Sequence, residues 1–163
     1  MSRPFKTRLD QLQGKKNKSA SATRILAATV ALSELKDGDR KLIVLSVQNG
    51  QAFTLPFATG KGSCYRLFLE AAITSNTDTF VVQSGNNPKT GAQDAFYGYA
   101  GIGEAGGTSA QYAAVGGYHT LTLNGTTQGG LAGSYIELED CAPGFWRVAA
   151  NLNGSGTLTT PFS

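Results

Sequence analysis

In the stretch Tyr118-His119-Thr120-Leu121-Thr122-Leu123-Asn124, followed by Gly125, Leu121 and Leu123 alternate with Thr120 and Thr122 with a period of two. A second stretch, Tyr135-Ile136-Glu137-Leu138-Glu139, sets Ile136 and Leu138 on one side and both glutamates on the other. Successive side chains of an extended chain point to opposite faces, so this period describes strands with one face in a core and one in water. No helical period of comparable length occurs, although the Ala-rich segment 25–35 is compatible with a short helix on composition; a strand is the preferred reading there.

Working outward, Leu42-Ile43-Val44-Leu45 is apolar on both sides, as expected of a strand covered on both faces. Further short extended runs lie at 25–32, 52–55, 64–70, 79–84, 95–99, 145–152 and 156–160. They are separated by turn-forming pairs such as Asn49-Gly50, Thr59-Gly60, Gly85-Asn86, Asn124-Gly125, Pro143-Gly144 and Asn153-Gly154. Spacing near ten residues predicts an all-β body: an antiparallel β-sandwich or jelly-roll-like barrel of about ten short strands, spanning residues 24–163. Residues 98–117 hold glycines at 98, 101, 103, 106, 107, 116 and 117, which predicts a long loop leaving that body.

Charge divides the chain differently. Residues 1–24 carry Arg3, Lys6, Arg8, Lys15, Lys16, Lys18 and Arg24 against the single acid Asp10, about +6, whereas the whole chain is only +3. The remainder is therefore mildly acidic. Residues 1–23 form a basic, extended N-terminal arm with too little apolar surface to offset its own ordering entropy, so a partner surface is expected to order it. Docking on an acidic protein surface would use Arg3, Lys6, Arg8, Lys15, Lys16 and Lys18, with Phe5, Leu9 and Leu12 as apolar anchors. The competing readings are a solvated tail and a nucleic-acid contact; for the latter the arm offers phosphate-binding lysines but only one aromatic, Phe5.

Motifs for chemistry are sparse. Gly101-Ile102-Gly103-Glu104-Ala105-Gly106 matches a dinucleotide fingerprint in letters only, because glycines follow it where a helix should begin and no acid stands about 20 residues on. His119 is the sole histidine and is read as structural. One histidine and two distant cysteines do not compose a zinc site. No Gly-x-Ser-x-Gly elbow occurs. Asp37 with Asp39, and Glu137 and Glu139 with Asp140, are read as turn solvation and edge protection rather than as acid/base pairs. Cys64 and Cys141 are read as buried free thiols, with a disulfide between them as the alternative. No secretory leader and no membrane-length apolar run is visible, which suggests assembly under cytosol-like conditions. Trp146 with Phe145, in an apolar run with Val148, is expected in the core, while Tyr97, Tyr99, Tyr112 and Tyr118 are the candidate interface aromatics of the body.

Three stretches carry a family likeness. They are residues 52–69 with Ile73-Thr74-Ser75-Asn76, then Leu123-Asn124 through Gly129-Gly130-Leu131, then Tyr135 to Asp140 with Gly144-Phe145-Trp146-Arg147-Val148. A strand ending in Leu-Pro, a Thr-Gly turn, an apolar strand and a Gly-Gly link into an Ile-Glu-Leu strand and a Trp strand resemble tailed-bacteriophage capsid decoration (cement) proteins. The likeness spans roughly residues 41–163 and leaves out the arm. It implies a non-enzymatic structural virion protein on the exterior of an icosahedral head, without a cofactor, metal or specific nucleic-acid or membrane partner. It further implies a homotrimer bound across neighbouring major capsid subunits. The alternative is a carbohydrate- or receptor-binding β-sandwich module of a virion head or tail fibre.

Overall fold

The computed structural model describes residues 24–26, 30–33, 42–46, 50–74, 78–82 and 85–163. The arm, with Arg3, Phe5, Lys6, Arg8, Leu9, Leu12, Lys15, Lys16 and Lys18, lies outside the described residues, as does the turn at 36–39. Among the described residues there are eleven strands and no helix. These are β1 (Arg24–Leu26), β2 (Val30–Ala31), β3 (Leu42–Leu45), β4 (Ala52–Thr54), β5 (Cys64–Leu69), β6 (Asp78–Val81), β7 (Ala95–Glu104), β8 (Ser109–Val115), β9 (Thr120–Leu123), β10 (Tyr135–Ala142) and β11 (Phe145–Gly154).

They form two open sheets, one of seven strands in the order β1-β3-β5-β10-β11-β7-β8 and one of four in the order β2-β4-β6-β9. The all-β expectation holds, but the pairing is mixed rather than antiparallel. From β1 to β6 the chain passes alternately between the sheets, and each strand lies parallel to its equivalent one coil later: β1 on β3, β3 on β5, β2 on β4 and β4 on β6. Antiparallel pairing begins where the coiling stops, at β5 with β10, β6 with β9, β10 with β11 and β7 with β8. Period-two alternation and turn residues mark where strands begin and end. They look the same whether a turn folds the chain back beside itself or carries it across to the other sheet.

Both sheets deliver alternate side chains to one core. Ile43, Leu45, Tyr65, Leu67, Leu69, Ile136, Leu138, Trp146 and Val148 come from the larger sheet, and Phe53, Phe80, Leu121 and Leu123 from the smaller. Phe53 and Phe80, cross-strand partners on β4 and β6, stack with ring centroids 4.9 Å apart, and Tyr65 meets Trp146 at 5.8 Å. Burying a side chain of this size contributes about 1.5–3 kcal/mol. Trp146 is fully buried, as its apolar neighbours predicted.

Residues 98–117 are not a loop. They complete β7 and form β8, a hairpin on the edge of the larger sheet. β7 runs parallel to β11 from the pair Ala95–Phe145 to Glu104–Gly154, so its backbone groups are satisfied without bulky side chains. Its inward positions, Phe96, Ala100 and Ile102, are buried and alternate with the outward Tyr97, Tyr99, Gly101 and Gly103. Gly98 is obligatory: its φ is +128°, and a Cβ there would lie 2.0 Å from the Val148 carbonyl oxygen. Two further expectations fail nearby. Asn153-Gly154 lies inside β11 instead of forming a turn, and 156–160 is not a strand. Instead residues 161–163 extend the smaller sheet beyond β9, where Thr120 N–H donates to Ser163 O and Ser163 N–H to Thr120 O.

Gly98→Ala is expected to lower unfolding stability by about 2 kcal/mol or more, since it combines left-handed strain with a backbone clash. Gly103→Ala, where a Cβ meets nothing within 4 Å, is expected to stay within about 1 kcal/mol of the parent. Urea unfolding of both variants checks the difference, and equal losses would contradict this account of β7.

Candidate functional site

The broadest ordered surface is the outer face of the seven-stranded sheet. Alternation places Arg66 and Phe68 of β5, Tyr135, Glu137 and Glu139 of β10, Phe145, Arg147, Ala149, Asn151 and Asn153 of β11, and Tyr97, Tyr99, Gly101 and Gly103 of β7 on that side. Register aligns Arg66 with Glu137 and Glu139 with Arg147. The side chains meet accordingly: Arg66 Nε donates to Glu137 Oε2 at 3.2 Å, Arg147 Nε to Glu139 Oε2 at 2.8 Å, and Arg147 Nη2 to Glu137 Oε1 at 2.9 Å. The bond to Glu139 is the main influence holding the Arg147 guanidinium above its ordinary value. Two cations and two anions cancel, leaving the middle of the face neutral. Half-exposed pairs of this kind add little stability but fix cross-strand register.

This corrects the reading of the acidic cluster. β10 is the central strand of its sheet, not an edge, so Glu137 and Glu139 do not protect an edge. Asp140 points inward and is 1% exposed. Its carboxylate accepts from Thr59 N–H at 2.9 Å, Thr59 Oγ1 at 2.8 Å, Gly60 N–H at 2.6 Å and Lys61 N–H at 3.2 Å. Nearby, buried Asp94 accepts from Ala58 N–H at 2.6 Å and Asn87 Nδ2 at 2.7 Å. Both carboxylates pin the segment from Ala58 to Lys61 across the end of the larger sheet. They are structural anchors, with every described donor supplied by the chain itself.

The four candidate tyrosines do not share a surface. Tyr97 and Tyr99 stand on the outer face, Tyr99 at 46% exposure, and Tyr97 packs on Phe145 with centroids 4.7 Å apart. Tyr97 and Phe145, together with Cys141, Ala142 and Arg147, border an apolar hollow. Tyr112 and Tyr118 pack instead against the core, Tyr118 beside Phe162. Tyr112 pairs with Ala100 on β7, and buried Ala100 marks the inward side. Alternation along β8 carried that signal; reading 98–117 as a loop hid it. Phe145, expected in the core with Trp146, is instead 43% exposed on the outer face, because neighbours along β11 point to opposite sides; Val115, at 75%, was missed altogether.

Next to Tyr99 the face drops into a trough of about 590 Å³ over Gly101 and Gly103, walled by Gln111 of β8 and by Asn151 and Asn153 of β11. No candidate site residue apart from Tyr99 had pointed there. Of the remaining candidates, His119 is held through Nδ1 at 2.7 Å from the Asp94 carbonyl oxygen, a structural placement. Cys64 is buried, but Cys141 is exposed, contrary to expectation; the two form no disulfide. Among the described residues no group of three or more His, Cys, Asp or Glu side chains is placed to hold a metal ion, and no helix is long and apolar enough to cross a membrane. Compared with known proteins, the chain matches no family model, no curated protein and no solved structure.

One buried acid has a consequence for pH. Asp78 is fully buried, and burial is the main cause that raises its carboxyl above 3.8, opposed by N–H bonds from Gln51, at 2.9 Å, and Gly50. A folded state that holds a proton more tightly than the unfolded chain gains stability from it at low pH. That contribution is lost as pH rises from 3.8 through the raised value. Asp78→Asn, which keeps a carbonyl acceptor without the charge, is therefore expected to raise the melting temperature at pH 7 and to match the parent near pH 3.5. A variant advantage that grows on acidification would contradict the sign.

Proposed function

We propose that this chain is a non-enzymatic structural virion protein that decorates and stabilises an icosahedral tailed-phage head by binding across neighbouring major capsid subunits from outside. The observation that carries the reading is the division of charge: about +6 within residues 1–24, joined to a mildly acidic all-β body. A segment of that composition is suited to lie along an acidic protein surface, where Coulomb attraction steers encounter and the apolar anchors Phe5, Leu9 and Leu12 add contact area. The strand-and-turn pattern of residues 41–163 supports the same class.

The body supports it with a rigid, charge-balanced face on which Tyr97, Tyr99 and Phe145 are clustered, a composition suited to protein contact. In this reading Tyr97 and Tyr99 remain partner-binding candidates beside the arm, while Tyr112 and Tyr118 belong to the body's own packing. The two sheets are taken as facing layers of a sandwich, since both supply one core; a closed jelly-roll-like barrel is the less favoured form. Assembly as a homotrimer would let three arms act together. Weak individual contacts then sum to strong attachment through effective concentration. A specific observation also favours the second reading, a carbohydrate- or receptor-binding module: the amide-walled trough beside Tyr99.

Removal of residues 1–23 is expected to leave a body that melts cooperatively yet loses at least tenfold in affinity for heads assembled from the cognate major capsid protein, measured by co-sedimentation. Intact protein is expected to release as salt approaches 1 M, where the Debye length falls to about 3 Å. Equal binding by intact and truncated protein, or binding indifferent to salt, would remove the arm as the clamp.

A further inference from the structure

We propose that the trough over Gly101 and Gly103 is a binding site for a neutral oligosaccharide, independent of whatever the arm holds. The argument starts from the glycines. Gly98 is demanded by the backbone, but Gly101 and Gly103 are not: neither has a positive φ, a Cβ at Gly103 would meet nothing within 4 Å, and at Gly101 the nearest atoms would be the Ala150 carbonyl oxygen at 3.8 Å and Asn151 Oδ1 at 3.9 Å. Both positions therefore accept a side chain without strain. A strand interior is weakened by glycine, and two outward glycines in alternate positions leave a bare stretch of backbone. Among the described residues no close contact requires a glycine at either position. A ligand that needs to approach the sheet closely does require one.

The walls define the ligand. Asn151 and Asn153 stand on β11, Gln111 on β8, and the exposed ring of Tyr99 closes one end. None of the lining residues carries a formal charge, which disfavours phosphates, carboxylates and amines. Each amide offers a donor and an acceptor on one rigid plane, the complement of adjacent hydroxyls that each donate and accept. Asn153 Nδ2 is oriented by the Ala132 carbonyl oxygen at 2.8 Å. The Asn151 and Gln111 amides have no side-chain hydrogen bond to the described residues, so their full capacity faces the trough. Tyr99 presents the flat apolar surface on which the C–H face of a pyranose stacks. The volume falls within the range of small-molecule sites. A second hollow, bordered by Gly103, Glu104, Leu131 and Asn153, shares Gly103 and Asn153 with the trough and offers room for a further sugar ring.

The site is rigid because its walls are neighbouring strands. Asn151 pairs with Gly101, Gly101 with Gln111, and Asn153 with Gly103, so the amide spacing is set by the ladder rather than by loops.

The test uses the full chain, isotope-labelled, titrated with malto-, cello-, chito- and mannohexaose, and with a hyaluronan hexasaccharide as a charged comparator. At least one neutral hexasaccharide is expected to shift the Asn151, Asn153 and Gln111 side-chain amide signals at millimolar concentration or below, with little response to the charged one. Tyr99→Ala and Gly103→Val are expected to weaken that binding at least tenfold while the melting temperature stays within a few degrees. Should Gly103→Val unfold the protein, Asn151→Ala on the exposed face serves as the second trough variant. No shift with any neutral sugar, shifts confined to residues outside the trough, or undiminished binding by the variants would overturn the proposal. The readout needs no capsid, so its failure and that of the decoration reading are separate events.

Discussion

The packing of β7 against β11 is the constraint on which the rest of the molecule depends. A parallel ladder ten residues deep in each strand requires the two backbones to run at sheet distance along their whole length. At Gly98 that approach leaves no room for a Cβ beside Val148 O. Once β7 is seated, β8 follows as its hairpin partner, Phe96, Ala100 and Ile102 close the core, and the outer face gains both its aromatic corner and its trough. Loss of this one contact would remove the aromatic corner and the trough as a unit while leaving the coiled half of the body, β1 to β6, its own parallel pairings.

The same ladder explains what was legible in the sequence. Strands with full alternation, such as those at Thr120–Leu123 and Tyr135–Ala142, stand where their period places them, because hydrophobic side chains alternating with polar ones have one stable arrangement at a core surface. Trp146 and His119 likewise took their expected structural roles. Partner identity along a sheet is a different kind of information. Leu42–Leu45 reads as a strand covered on both faces, yet only Ile43 and Leu45 are buried while Leu42 and Val44 are half-buried, and nothing in the run says that its neighbours, β1 and β5, lie parallel. Glycine misled for a related reason. Within 98–117 it was taken for backbone freedom, whereas in β7 it serves close approach at one position and an uncovered floor at two others. The inward series Phe96, Gly98, Ala100, Ile102 was present but faint, since two of its members are small and the outward side carries the aromatic Tyr97 and Tyr99.

The candidate site was legible only in part. Tyr97 and Tyr99 lie on the outer face, whereas Tyr112 turns inward by its place in the β7–β8 hairpin and Tyr118, between β8 and β9, packs on Phe162. Asn151, Asn153 and Gln111 carried no signal of their own, being ordinary polar residues until register brings them around a shared gap. The ion pairs of Arg66, Glu137, Arg147 and Glu139 show the converse: charges that looked like solvation along one strand become a balanced row across three.

The account places partner contact on the arm and on the outer face of the seven-stranded sheet, with the four-stranded sheet turned away. Hydrogen–deuterium exchange of the full chain, free and bound to capsid heads, tests this most directly. The prediction is slowed exchange in residues 1–23, 97–103 and 109–115 on binding, and unchanged exchange in β4, β6 and β9. Protection confined to the four-stranded sheet, or no protection anywhere at saturating heads, would contradict it.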